Sequence, residues 1–185
     1  MARRKRLASL AIGLPLLSLA AVAAAQQPTG GVDAEYIKTA MTAGPREVAD
    51  NASIVRMVNG VMRTVKKGTN EYTCMVMIEG PMCTGRFGME WVQAWQAHTP
   101  PPDQLGFVYM LGGDSGSSNT DPWATKPEPG NHWIRMGAHV MLVGPGVKKM
   151  EGFPRTPDPD PTKPYVMWPG TPYEHVMLPV SPTQR

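Results

Sequence analysis

The sequence predicts an α+β domain, with an antiparallel-leaning sheet, two helices and long ordered proline-rich loops. Three observations carry this. Short extended runs recur from Ser53 onward, and one pair of them is joined by Asn59-Gly60. Two segments, after Asp33 and after Thr84, carry apolar residues at the period of a helix laid on a core. Most of the chain's 20 prolines lie between Pro122 and Pro182, which excludes helix there and fits irregular chain wrapped over a sheet.

Residues 1–25 read as a cleavable export signal. Arg3, Arg4, Lys5 and Arg6 form a positive start, Leu7 to Val22 is apolar, and Ala23-Ala24-Ala25 supplies small residues for cleavage. The alternative, an uncleaved anchor, is weakened by Gly13, Pro15 and the alanine run. The Arg3-Arg4 pair hints at a twin-arginine route, although Arg6 stands where such signals carry an apolar residue. The whole chain has 18 Lys+Arg against 15 Asp+Glu; without the four basic residues of the signal the balance is 14 to 15, a net charge of −1. No basic stripe and no second long apolar run remain, so the mature chain has the character of neither a nucleic-acid binder nor a membrane-inserted protein. Residues 26–32 form a polar arm, and 33–185 are long enough for one domain with one core.

Along that domain, Asp33 is placed to cap a helix with Tyr36, Ile37, Ala40 and Met41 on one face, stopped by Gly44-Pro45. A short helical turn runs from Arg46 to Ala49. Ser53–Val58 and Val61–Lys66 flank the Asn59-Gly60 turn, the strongest local hairpin signal. That register sets Met57 opposite Met62 and Arg56 opposite Arg63, a mildly repulsive pair unless a carboxylate or anion joins it. Tyr72–Ile78 is a strand broken by Glu79-Gly80-Pro81. Cys74 and Cys83, the only two cysteines, then come within reach of each other. In an oxidising compartment they are most simply a disulfide, and the chain-entropy account gives a ten-residue loop about 2.7 kcal/mol. Free thiols or a metal pair are the other options. From Thr84 a helix brings Trp91, Val92, Trp95 and His98 to one face, as core or as a ligand platform, and Pro100-Pro101-Pro102 ends it. Leu105–Leu111 is a strand. Residues 112–131 then lack periodicity altogether, and a connection that long inside a compact domain is usually functional or mobile. Trp133–Met136, His139–Val143, Tyr165–Trp168 and Tyr173–Val180 are the remaining extended segments.

Beyond the signal there are 13 methionines, because Met1 leaves with it, and only four leucines: Leu105, Leu111, Leu142 and Leu178. Methionine either replaces leucine as core filler or offers soft thioether ligands. His139-Val140-Met141-Leu142 and His175-Val176-Met177-Leu178 repeat one tetrapeptide. In strands, each copy presents His and Met on one face and Val and Leu on the other. Were the two strands neighbours, His139, Met141, His175 and Met177 would form a two-His, two-Met set suited to copper. Within the long loop, Asp114, Asn119 and Asp121 are candidates for a calcium or sugar ligand, or for bonds that pin the loop. Gly113-Asp114-Ser115-Gly116 matches a serine-protease string, but no upstream His and Asp stand at the separation that architecture needs. An enzyme of unrecognised class, a hydrolase among them, would draw on His98, His132 or His175 with Glu174 or Asp114.

Several stretches are similar to those of a group of short exported Gram-negative bacterial proteins of unknown function. They are residues 68–75 (GTNEYTCM), 89–95 (MEWVQAW), 109–113 (YMLGG), 118–122 (SNTDP), 139–144 (HVMLVG) and 163–175 (KPYVMWPGTPYEH). The resemblance implies export to the periplasm or medium and carries no catalytic residue and no cofactor. The function expected is non-catalytic binding of a ligand or partner through residues 112–131 and the aromatics Trp123, Trp133 and Trp168. A copper-handling protein is the alternative.

Overall fold

A computed structural model describes residues 31–180; the expected signal at 1–25 lies outside the described residues. The first helix, α1 (Val32–Met41), starts from Gly31 without a side-chain cap. Asp33 is therefore not the cap that the sequence suggested. It is the second residue of the helix, in the first turn, where a carboxylate favours the helix dipole, and it reaches Arg56 at 3.4 Å. Gly44 does not take the left-handed conformation expected of it. Its lack of a Cβ serves close approach instead, since a methyl there would stand 3.2 Å from Cys83 Sγ. The short α2 (Arg46–Ala49) follows.

The hairpin of β1 (Ser53–Val58) and β2 (Val61–Lys66) forms as the turn dictates. Asn59 and Gly60 both have positive φ, 52° and 75°, the geometry of a type I′ turn. Val58 faces Val61, Met57 faces Met62 and Arg56 faces Arg63. The Arg56 charge is taken up by Asp33 and by the Tyr36 ring, 4.9 Å below its guanidinium carbon. The strands β3 (Thr73–Val76) and β4 (Pro81–Thr84) make a second hairpin with Cys74 directly opposite Cys83, and a disulfide joins them.

After α3 (Arg86–Gln96) the chain adds β5 (Gly106–Met110), then a two-residue pair, β6 (Ser117–Ser118) with β7 (Trp133–Ile134). No pattern in the sequence marks β6. Then come β8 (His139–Val143), β9 (Tyr165–Met167) and β10 (His175–Pro179). Pro145–Lys149 is one 3₁₀ turn with proline at its start, so the proline-rich region does hold a helical turn. Proline costs nothing at a first helical position, where its missing N–H has no partner in any case.

The main sheet has eight strands in the order β2-β1-β3-β4-β5-β8-β10-β9. It is mixed and mostly antiparallel: β1 and β3 run parallel, and the other pairs given for this sheet are antiparallel. One face carries the largest core, closed by α3 through Trp91 and Val92 and by Trp168 and Tyr173. The reverse face has two smaller cores. One lies under α1 and contains both cysteines; the other, of Val147, Val166 and Val176, lies against the 3₁₀ turn. Among the described residues no helix is long and apolar enough to cross a membrane.

Candidate functional site

The repeated tetrapeptides become neighbours. β8 and β10 pair antiparallel with Met177 directly across from Met141, and residues opposed in such a ladder share a face. Each His and Met points into the main core, while Leu142 and Leu178 pack with Val176 on the reverse. Antiparallel pairing reverses one copy, however. The two methionines meet in the middle and the two histidines stand at opposite ends. His139 lies opposite Pro179, four residues from His175, or roughly 14 Å along the strand. The structure therefore gathers Met141, Met177 and His175 at one place and leaves His139 at another.

That place is a small cavity of about 50 Å³ under α3. Its wall includes Met77, Met82, Met110, Met141, Met167 and Met177, with His175 among them. The register explains the convergence: Met167 is opposite His175, and Met82 follows the β4–β5 alignment that pairs Cys83 with Tyr109. Above lie Trp91, Trp95 and Trp168. The Trp91 and Trp168 rings are nearly parallel at 6.2 Å, and both meet His175 edge to face, at 5.2 and 4.8 Å. Trp168 takes a left-handed backbone, φ 55°, which costs a non-glycine residue about 1–2 kcal/mol. Its indole N–H donates to the Ser118 carbonyl at 2.7 Å, holding the ring over the cavity.

The buried polar groups follow from this placement. His175 Nδ1 donates to the Tyr173 carbonyl at 2.9 Å, which leaves Nε2 unprotonated. Burial drives the imidazole pKa down to about 4, against the Tyr173 carbonyl and with some help from His139, so His175 is neutral at pH 7. His139 Nδ1 likewise donates to the Gly137 carbonyl at 2.7 Å. Its Nε2 is buried without a hydrogen bond and lies 3.9 Å from Asp114 Oδ2. Asp114 Oδ1 accepts the Gly116 and Met136 backbone N–H groups at 3.0 and 2.8 Å. Burial nevertheless raises its pKa, despite those bonds and the nearby His139 and Arg135. Burial also raises Glu79, and the Asp114 charge adds to the effect.

Outside the cavity lies an open groove of about 580 Å³. The β1–β2 hairpin supplies Met57 and Met62, the C-terminal end of α3 supplies Gln93 and Gln96, and the long loop supplies residues 122–125. Met77, Glu79 and Trp95 line both spaces, so cavity and groove share a wall. The loop is fixed there by the Trp95 indole N–H, which donates to the Pro122 carbonyl at 3.1 Å. Trp123, 45% exposed, stacks on His98 at 4.4 Å.

The long loop is thus ordered by its own polar groups. Asn119 is fully buried, and its amide donates to the Thr156 and Pro157 carbonyls, both at 2.9 Å. Asp121 accepts from the Trp123 backbone N–H at 2.9 Å. These bonds and those of Asp114 pin chain to chain, and among the described residues no group of three or more His, Cys, Asp or Glu could hold a metal ion. Trp168 is buried and Trp133 half-buried; of the three tryptophans expected to meet a ligand, Trp123 alone lines the groove. Ser115 donates its hydroxyl to the Ile78 and Glu79 carbonyls, both at 3.1 Å. His132 pairs with surface Asp158 at 2.8 Å, and Glu174 accepts the Gly170 N–H, also at 2.8 Å. Sequence reasoning missed Met57, Met77 and Glu79 as site residues and left Trp95 between core and ligand platform. Part of that signal was present, since the predicted hairpin already set Met57 beside Met62. Comparison with family models, with curated proteins and with solved structures finds no match.

Proposed function

We propose that this protein is an exported, non-catalytic binding domain that takes a small apolar molecule, uncharged or cationic, into the groove between the β1–β2 hairpin and the end of α3. One observation carries the reading. The groove, about 580 Å³, falls in the size range of small-molecule sites, and its rim holds large apolar side chains out in solvent: Met57 at 42%, Ile78 at 75% and Trp123 at 45% exposure. Such clustering marks binding surfaces, whereas scattered exposed residues mean nothing. Among the described residues, the one charged side chain on its wall is Glu79, which disfavours anions. Export is supported by the amino-terminal sequence and by a disulfide of the kind that persists in oxidising compartments.

The test is a fluorescence titration with N-phenyl-1-naphthylamine, a neutral apolar probe. Saturable binding at one site per chain is expected, with the anionic anilinonaphthalene sulfonate binding more weakly. Trp123→Ser and Met57→Ser change exposed side chains, so the fold is kept, and each should weaken binding about tenfold. Equal affinity in wild type and both variants would remove the groove as the site.

A further inference from the structure

The cavity beneath the groove has a chemistry of its own. Six methionines and an imidazole surround a space too small for an organic ligand and large enough for one ion. Among the described residues no lysine or arginine is on its wall, while the carboxylates of Glu79 and Asp114 are. We propose that this cavity binds a single soft monovalent cation, Cu(I) or Ag(I), with His175 Nε2 and the thioethers of Met141 and Met177 as ligands and Met167 beside them.

Four observations support the assignment. Met141 and Met177 are a directly opposed pair, and His175 precedes Met177 by two residues on the same strand face. The bond from His175 Nδ1 to the Tyr173 carbonyl fixes the tautomer that leaves Nε2 as a ligand, the usual role of an outer hydrogen bond at a metal site. Neutral thioethers with one imidazole suit a soft monovalent ion, whereas zinc favours thiolates, several imidazoles or carboxylates. Finally, Trp91 and Trp168 both stand edge to face with His175, which puts two indole rings, the strongest aromatic partners of a cation, beside the site. The left-handed Trp168 is the kind of local strain that collects at functional sites. Met77, Glu79 and Trp95, shared with the groove, mark the way in. The four-residue set suggested by the repeat is thereby revised: His139 drops out and Met167 enters.

Ag(I) is the probe, because it does not change oxidation state and leaves the disulfide intact. The full disulfide-bonded chain is titrated in chloride-free buffer, with native mass spectrometry for stoichiometry, tryptophan fluorescence for affinity and X-ray absorption for the ligand atoms. One ion per chain is expected, with sulfur and nitrogen neighbours, quenched fluorescence and no displacement by Zn(II). Met141→Leu/Met177→Leu conserves volume and should weaken binding about a hundredfold or more. Met150→Leu, in the core on the reverse face of the sheet, should leave it unchanged. Near-UV circular dichroism checks that the interior variant is folded; if it is not, Met177→Leu alone must weaken binding about tenfold. Absence of uptake by the wild type, equal uptake by the interior variant, or ready displacement by Zn(II) overturns the proposal. The groove reading is separate, since binding of the organic probe is unaffected by failure of the ion to bind.

Discussion

Asp114 shows how one side chain can organise a segment without periodicity. Its Oδ1 joins the N–H group of Gly116 to that of Met136, which lies 22 residues along the chain from Asp114, while its Oδ2 approaches His139 Nε2, which has no hydrogen bond. The sequence marked Asp114 as a candidate ligand or loop pin but could not name its partners, because those bonds are set by a distant strand. Asparagine fits the same arrangement: its carbonyl can accept both N–H groups, and its amide can donate to His139. Asp114→Asn should therefore keep wild-type stability to within about 1 kcal/mol at pH 7, whereas Asp114→Ala, which orphans two backbone donors, should cost about 2–4 kcal/mol. Burial raises the Asp114 pKa, so the folded state holds its proton to higher pH than the unfolded state does. The wild type consequently loses stability as pH rises from the ordinary carboxylate range through the folded pKa, and the asparagine variant does not. Urea denaturation at a series of pH values should show the balance moving toward Asp114→Asn across that window. A difference independent of pH would mean that the buried charge carries no cost.

At the scale of elements, what could be read was local. The Asn59-Gly60 turn fixed a register that the structure reproduces from Val58 opposite Val61 to Val55 opposite Thr64, beyond which a bulge moves Ile54 opposite Lys66, and the repeat correctly put His and Met on one strand face. What could not be read was which element lies beside which. The seat of α3 depends on two glycines far apart in sequence, Gly88 on the helix and Gly106 on β5, and neither carries a local signal. A Cβ on Gly106 would stand 2.7 Å from the Gly88 Cα, and one on Gly88 would stand 2.8 Å from the Phe107 carbonyl oxygen. At Gly106 backbone meets backbone, so a methyl group there has no flexible side chain to displace. Gly106→Ala should cost about 3 kcal/mol by overpacking and should loosen α3. The near-UV signal of stacked Trp91, Trp95 and Trp168 would weaken accordingly. Gly60→Ala is the contrast. Nothing lies within 4 Å of its Cβ position, and its positive φ alone should cost about 1–2 kcal/mol. Urea midpoints for the two variants separate close approach from backbone conformation, and equal midpoints would contradict this packing of α3.

In the whole molecule, the two largest of the three cores lie on opposite faces of the sheet and are of different kinds. One is the methionine and tryptophan chamber under α3; the other is the small-residue core under α1, where Ala40, Ala43, Ala49 and Ala52 surround a disulfide whose cysteines are both fully buried. Composition announced the excess of methionine but not the strand order that draws six of them around one space. Cysteine spacing, by contrast, announced the bridge, because only two cysteines occur and the Gly80-Pro81 break returns the chain within ten residues. Its consequence belongs to the whole fold. The bridge ties β3 to β4 at the centre of the sheet, the two strands from which it passes on one side to the β1–β2 hairpin and on the other to β5, β8 and β10. Because α1 covers both sulfurs, a reductant can reach them only when the domain opens. Dithiothreitol followed by iodoacetamide should therefore leave the native chain unmodified and add two alkyl groups in denaturing urea, as read by intact mass. Cys74→Ala/Cys83→Ala should still fold, since the cores on both faces remain, with unfolding free energy lowered by about 3 kcal/mol from the freed loop. If native protein is alkylated as fast as unfolded protein, the region under α1 opens independently, and the disulfide holds a hairpin alone rather than the centre of the molecule.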